Sequence, residues 1–158
     1  MDVDAFLADS VVAAEGKLYV QGAGWNAIFS PVVPVRQSRL GVGVLIQVPY
    51  SATNQMHTLE VKIVDADENS LVIADAPLGS DTPDGKVREL KGQFTVGRPP
   101  LLPAGDEQIV PIALNIDGLV FPEPGRYSVV VSISGTEVKR LPIRVQLVAQ
   151  MAAPTIGR

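Results

Sequence analysis

Apolar and polar residues alternate with a period of two along most of this chain. Leu59, Val61 and Ile63 alternate with Glu60 and Lys62, and Ile112, Leu114 and Ile116 with Ala113, Asn115 and Asp117. Tyr127, Val129, Val131 and Ile133 form another such face, as do Leu141, Ile143, Val145 and Leu147, and Phe94 and Val96 on a shorter scale. Val42, Val44, Ile46 and Val48 are set opposite glycines and Leu45. In a strand, successive side chains point to opposite faces, so each run predicts a strand with one buried face. Valine and isoleucine dominate, as suits a pleated surface.

Turn signals separate the runs: Glu15-Gly16, Asp67 to Ser70, Thr82-Pro83-Asp84-Gly85, Pro99-Pro100, Pro103 to Gly105, Pro122 to Gly125 and Ser134-Gly135. Short strands at this spacing predict an all-β, immunoglobulin-like antiparallel sandwich of about eight or nine strands. A single helical turn is expected over Ser51 to Gln55, with Ser51 as its N-cap. At the N-terminus, Val3, Phe6, Leu7, Val11 and Ala14 also fit a helical period; the preferred reading is a strand ending at Glu15-Gly16 and a hairpin back through Lys17 to Val20. Ala74 to Lys86 reads as an exposed loop. One sandwich domain is expected over residues 1–147, with 148–158 a flexible tail.

Pro124-Gly125-Arg126-Tyr127 enters the penultimate strand directly from a turn. In immunoglobulin-like sandwiches a tyrosine at this place bonds back to upstream backbone, so Tyr127 is expected to form a tyrosine corner. Tyr127, Gly125 and Trp25 are the structural residues singled out, with core or edge packing the role expected of Trp25.

Composition narrows the chemistry. The 158-residue chain is 46% apolar, 19% charged and 5% aromatic, and it has no cysteine. That excludes disulfides, thiol catalysis, iron–sulfur clusters and cysteine-containing zinc sites. A net charge of −4 with scattered basic residues argues against nucleic-acid binding. Met1-Asp2-Val3-Asp4 does not resemble a signal peptide, and no apolar run approaches the ~20 residues that span a bilayer. A soluble cytoplasmic protein is expected.

The candidate reactive residues are few. His57 is the only histidine and is read as an exposed strand-end residue, with no nucleophile motif beside it. Asp65-Ala66-Asp67-Glu68-Asn69 resembles the start of a calcium loop, but Ser70 and Ala76 stand where glycine and glutamate are required, so a hairpin turn is expected. Asp75, Asp81 and Asp84 lie in the exposed loop, a poor platform for paired carboxylates. Gly22-Ala23-Gly24-Trp25 lacks the third glycine of a dinucleotide fingerprint and is read as a bulge or close backbone approach in a strand. Arg98-Pro99-Pro100-Leu101-Leu102-Pro103 carries a Pro-x-x-Pro spacing; it is read as a rigid connection whose two exposed leucines make it a possible interaction loop.

Several segments together resemble a known family: Ala5 to Ser10, Gly16-Lys17-Leu18-Tyr19-Val20-Gln21-Gly22-Ala23-Gly24-Trp25, Leu59 to Asp67, Phe94 to Pro100, Pro124 to Tyr127 and Leu141 to Val145. The family comprises small bacterial proteins, common in actinobacteria, classified as a domain of unknown function. The resemblance reaches to about residue 147 and omits the loop from Asp75 to Lys86. It implies a compact β-sandwich and carries over no activity or site residues.

The leading expectation is a non-enzymatic protein-interaction or assembly module without cofactor or metal, acting on a protein partner or on itself. The alternatives are a structural subunit of a larger particle, such as a phage virion or injection machine, and a hydrolase using Asp65, Asp67, Asp75, Asp81 or Asp84. The last is remote, because no catalytic constellation accompanies those carboxylates.

Overall fold

The alternating runs form strands whose apolar faces converge on one core. A computed structural model describes residues 1–149 and is all-β. Its strands are β1 (Asp2–Ala8), β2 (Ser10–Ala14), β3 (Lys17–Gln21), β4 (Ala27–Ser30), β5 (Val35–Val48), β6 (Met56–Val64), β7 (Ala74–Asp75), β8 (Lys86–Val87), β9 (Glu89–Thr95), β10 (Gln108–Phe121), β11 (Gly125–Ile133) and β12 (Thr136–Leu147). One sheet has the order β1-β5-β10 and a second the order β4-β12-β11-β6-β9; β2-β3 and β7-β8 are separate hairpins. All pairings are antiparallel except β4 with β12.

Val42, Val44, Ile46 and Val48 on β5 are completely buried, and they share one core with Leu59, Val61 and Ile63 on β6 and Val129 and Val131 on β11. Aliphatic packing therefore joins the two sheets. Proline marks where strands have a free side, since it cannot donate to a ladder. Pro111 lies on β10, which pairs only with β5. Pro142 lies on the part of β12 ahead of its pairing with β4, which begins at Arg144.

The glycines opposite the β5 valines have a specific purpose. Gly41 and Gly43 are buried beneath the β2-β3 hairpin, which folds back over the outer face of the first sheet. A Cβ on Gly43 would stand 2.5 Å from the Phe6 ring and 3.0 Å from Leu18, and one on Gly41 3.1 Å from the Ala8 carbonyl oxygen. Only a bare backbone lets the hairpin come so close.

Several local expectations are corrected. The N-terminal run breaks at Asp9, whose N–H donates to the Gln21 and Gly22 carbonyls, so that two strands replace one. The helical turn is a 3-10 turn over Tyr50–Ala52 with Pro49 at the cap position, and Ser51 caps nothing. Thr53 takes over locally, its hydroxyl donating to the Tyr50 carbonyl at 2.7 Å. Gly22 and Gly24 follow β3 in a loop rather than within a strand, both at positive φ (64° and 96°), and the expected close approach holds at Gly22, where a Cβ would collide with the Asp9 carboxylate. The segment Ala74 to Lys86 is largely exposed but not purely loop, because β7 and β8 close it as a hairpin. Leu147 passes the end of the core and is half exposed. Of the expected tail, Val148 donates its N–H to Ser30 at 3.0 Å, and residues from 150 onward lie outside the described residues.

Candidate interaction groove

Sheet order leaves β9 at one edge of the five-stranded sheet and β10 at one edge of the three-stranded sheet. Between these edges lies a groove of about 350 Å³ lined by Leu59, Val61, Leu90, Phe94, Ile112 and Leu114, with Lys91, Gly92 and Gln93 at its rim. Leu59 and Val61 form its buried floor. Leu90, Phe94, Ile112 and Leu114 are only half-buried, because no neighbouring strand covers them. Ile112 and Leu114 were expected as plain core, and Leu90 carried no expectation at all. Its signal is present in the alternation of Leu90, Gly92 and Phe94, which continues the β6 pattern across the sheet.

His57 supports one end of this wall. Contrary to the expectation of an exposed residue, it is 6% exposed, directly opposite Phe94 in register, with ring centroids 5.3 Å apart. Its Nε2 lies 2.8 Å from the Ala52 carbonyl oxygen. A carbonyl only accepts, so Nε2 carries the proton. The histidine satisfies a backbone oxygen and fills space.

The connection from β9 to β10 contains Arg98-Pro99-Pro100-Leu101-Leu102-Pro103. Arg98 donates to the Thr53 hydroxyl and, at 3.1 Å, to the Tyr50 carbonyl, and its guanidinium stands 4.1 Å from the Tyr50 ring centroid. These contacts tie the connection to the 3-10 turn. Leu102 N–H donates to the Pro99 carbonyl at 2.9 Å, which makes this stretch a turn rather than an extended polyproline segment. Leu101 projects fully, at 95% exposure, whereas Leu102 is half-buried.

The acidic candidates are engaged in local structure. Asp65 Oδ1 accepts from the Asp67 and Asn69 N–H groups, both at 2.9 Å, and Asn69 Nδ2 donates to the same carboxylate. This is an Asx turn. The Asn69 amide, side chain first and then backbone, holds the Asp65 carboxyl below its ordinary range. Asp75 pairs with Lys86 at 2.6 Å and Asp84 with Arg88 at 2.6 Å, which lowers the Asp84 carboxyl. Asp81 is exposed in the loop between. Among the described residues no group of three His, Asp or Glu side chains is placed to hold a metal ion, and no helix is long and apolar enough to cross a membrane.

The structural residues lie elsewhere. Tyr127 is buried and donates its hydroxyl to the Glu123 carbonyl at 2.7 Å. Its ring meets Phe121 edge-on, with centroids 4.9 Å apart. Burial pushes the Tyr127 phenol up, so it stays a neutral donor. Gly125 begins β11 at φ 154°. Trp25 is half-buried against the core, with Nε1 buried and without an acceptor among the described residues. Asn115 is a residue the sequence did not single out. It anchors the β2-β3 hairpin, and a lone Asn on an alternating strand gives no sign of that role.

No curated protein matches the chain. A family model does, over residues 3–146, which spans both large sheets and the groove. The chain belongs to the family of unknown function DUF6941.

Proposed function

We propose that this chain is a non-enzymatic protein-interaction or assembly module that takes an extended segment of a partner along the groove between β9 and β10. The observation carrying this reading is the position of the groove, an apolar trough of about 350 Å³ flanked by two strand edges. An added strand would satisfy edge N–H and C=O groups while alternate side chains enter the trough. The engagement of Asp65, Asp75 and Asp84 in turns and ion pairs supports a binding role over a hydrolytic one.

The fold reading that accompanies this is an immunoglobulin-like sandwich without an inter-sheet disulfide, supported by the Tyr127–Glu123 bond at the entry to β11 and by sheets of three and five strands sharing a core. The absence of cysteine suits a reducing compartment, so we assign a cytoplasmic setting. The motif resemblance supports a bacterial, largely actinobacterial, distribution.

The test is site-specific photo-crosslinking in the native cell from a reactive residue replacing Gln93, at the groove rim. A discrete adduct is expected, and it should vanish when Ile112→Lys places a charge in the groove. An absence of any adduct at Gln93, or one indifferent to Ile112→Lys, would overturn the reading.

A further inference from the structure

Building on the groove as an interaction site, we infer that its partner is a second copy of this chain, added edge to edge through β9 in an antiparallel pair centred on Leu90. The outer face of β6 and β9 already carries a charge ladder. Glu60 stands directly opposite Lys91, with Lys91 Nζ 2.5 Å from Glu60 Oε1, and Lys62 stands directly opposite Glu89. A twofold axis through Leu90 places Lys91 opposite Glu89 of the second copy, and Glu89 opposite its Lys91. The row Glu60, Lys91 then continues into Glu89 and Lys62 of the second copy, so the sign alternates across four strands. The second row is its mirror. Opposite charges directly across a ladder stabilise it, and like charges oppose it.

The other face of β9 fits the same axis. Val61 is opposite Leu90, and Leu90, which lines the groove, then meets Leu90 of the second copy. Edge strands commonly resist such pairing through an unmatched lysine or a proline. On β9 there is no proline, and the lysine is already matched by Glu60. The arrangement is isologous and closed, giving a dimer rather than a filament.

Sedimentation of the whole chain tests this. The wild type should sediment at twice the 16.8 kDa chain mass, and Lys91→Glu at the single mass. Because Lys91→Glu also faces Glu60 within its own chain, a second variant guards against misfolding. Combining Glu60→Lys, Lys62→Glu, Glu89→Lys and Lys91→Glu inverts the ladder while keeping its two intrachain cross-strand pairs complementary. It should dimerise with itself yet refuse to mix with isotope-labelled wild type, as read by native mass spectrometry. A wild type that stays monomeric up to its solubility limit, or mixed dimers at the statistical ratio, would overturn the inference. A monomer that still crosslinks another protein from Gln93 overturns self-pairing alone. A monomer without any adduct overturns the interaction reading as well.

Discussion

The side chain of Asn115 holds the backbone of Val11 from both sides. Val11 N–H donates to Asn115 Oδ1 at 3.0 Å, and Asn115 Nδ2 donates to the Val11 carbonyl at 2.8 Å. An amide side chain on β10 thereby acts as one residue of an additional strand for β2, at a residue, Val11, that is 1% exposed. The two bonds fasten a hairpin that shares no ladder with the sheet beneath it.

Asn115→Leu should release that hairpin. Two hydrogen bonds at roughly 0.5–1.5 kcal/mol each give an expected loss of about 1–3 kcal/mol in chemical denaturation. The distinguishing readout is hydrogen exchange, with the Val11 amide accelerating far more than amides in β6 or β11. Asn115→Asp should fall between, since a carboxylate still accepts from Val11 but cannot donate to its carbonyl.

Gly43→Ala should destabilise by about 1–3 kcal/mol, the usual range for overpacking. Its new methyl meets the Phe6 ring at 2.5 Å, so Phe6 must leave its site or the hairpin must lift. Pairing Gly43→Ala with Phe6→Leu should recover part of the loss, and a double-mutant cycle on melting temperature measures the recovery.

Tyr127→Phe removes the donor to a partly buried Glu123 carbonyl while keeping the edge-on contact with Phe121. The expected cost is about 1–3 kcal/mol, from an acceptor left without a partner. Urea unfolding should show a lower midpoint with an unchanged slope, as the surface exposed on unfolding stays the same.

Acid should act through the Asp65 turn. Its folded carboxyl lies below the ordinary range, so it binds a proton less readily than in the unfolded chain. The turn's contribution is fully present above the unfolded carboxylate pKa and fades as pH falls through the folded one. Asp65→Asn should therefore show a shallower fall in melting temperature below about pH 4 than wild type, measured by a thermal scan across pH.

Much of the strand layout was legible in the chain itself. Val42, Val44, Ile46 and Val48 on β5, and Leu59, Val61 and Ile63 on β6, announce their buried face by alternation alone, because the pleat sends every second side chain the same way. The turn residues between them mark where strands stop. Tyr127 could be picked out by its place after Pro124-Gly125, since a local turn and a local acceptor define its bond.

What alternation could not show is which strands have a neighbour on both sides. Ile112 and Leu114 read like Val44 and Ile46, yet they are half-buried because β10 has one partner and β5 has two. His57 read as exposed, and its burial follows from Phe94, thirty-odd residues later, arriving opposite it. Gly41 and Gly43 read only as the residues opposite a valine face until a hairpin from the N-terminus is laid across them. The sequence by itself determined the strands, their inward faces and the turns that end them, because those depend on neighbours along the chain. The groove, the free edges and the Asn115–Val11 clasp were decided only by the tertiary structure, because strand order brings together residues whose meeting no local period encodes.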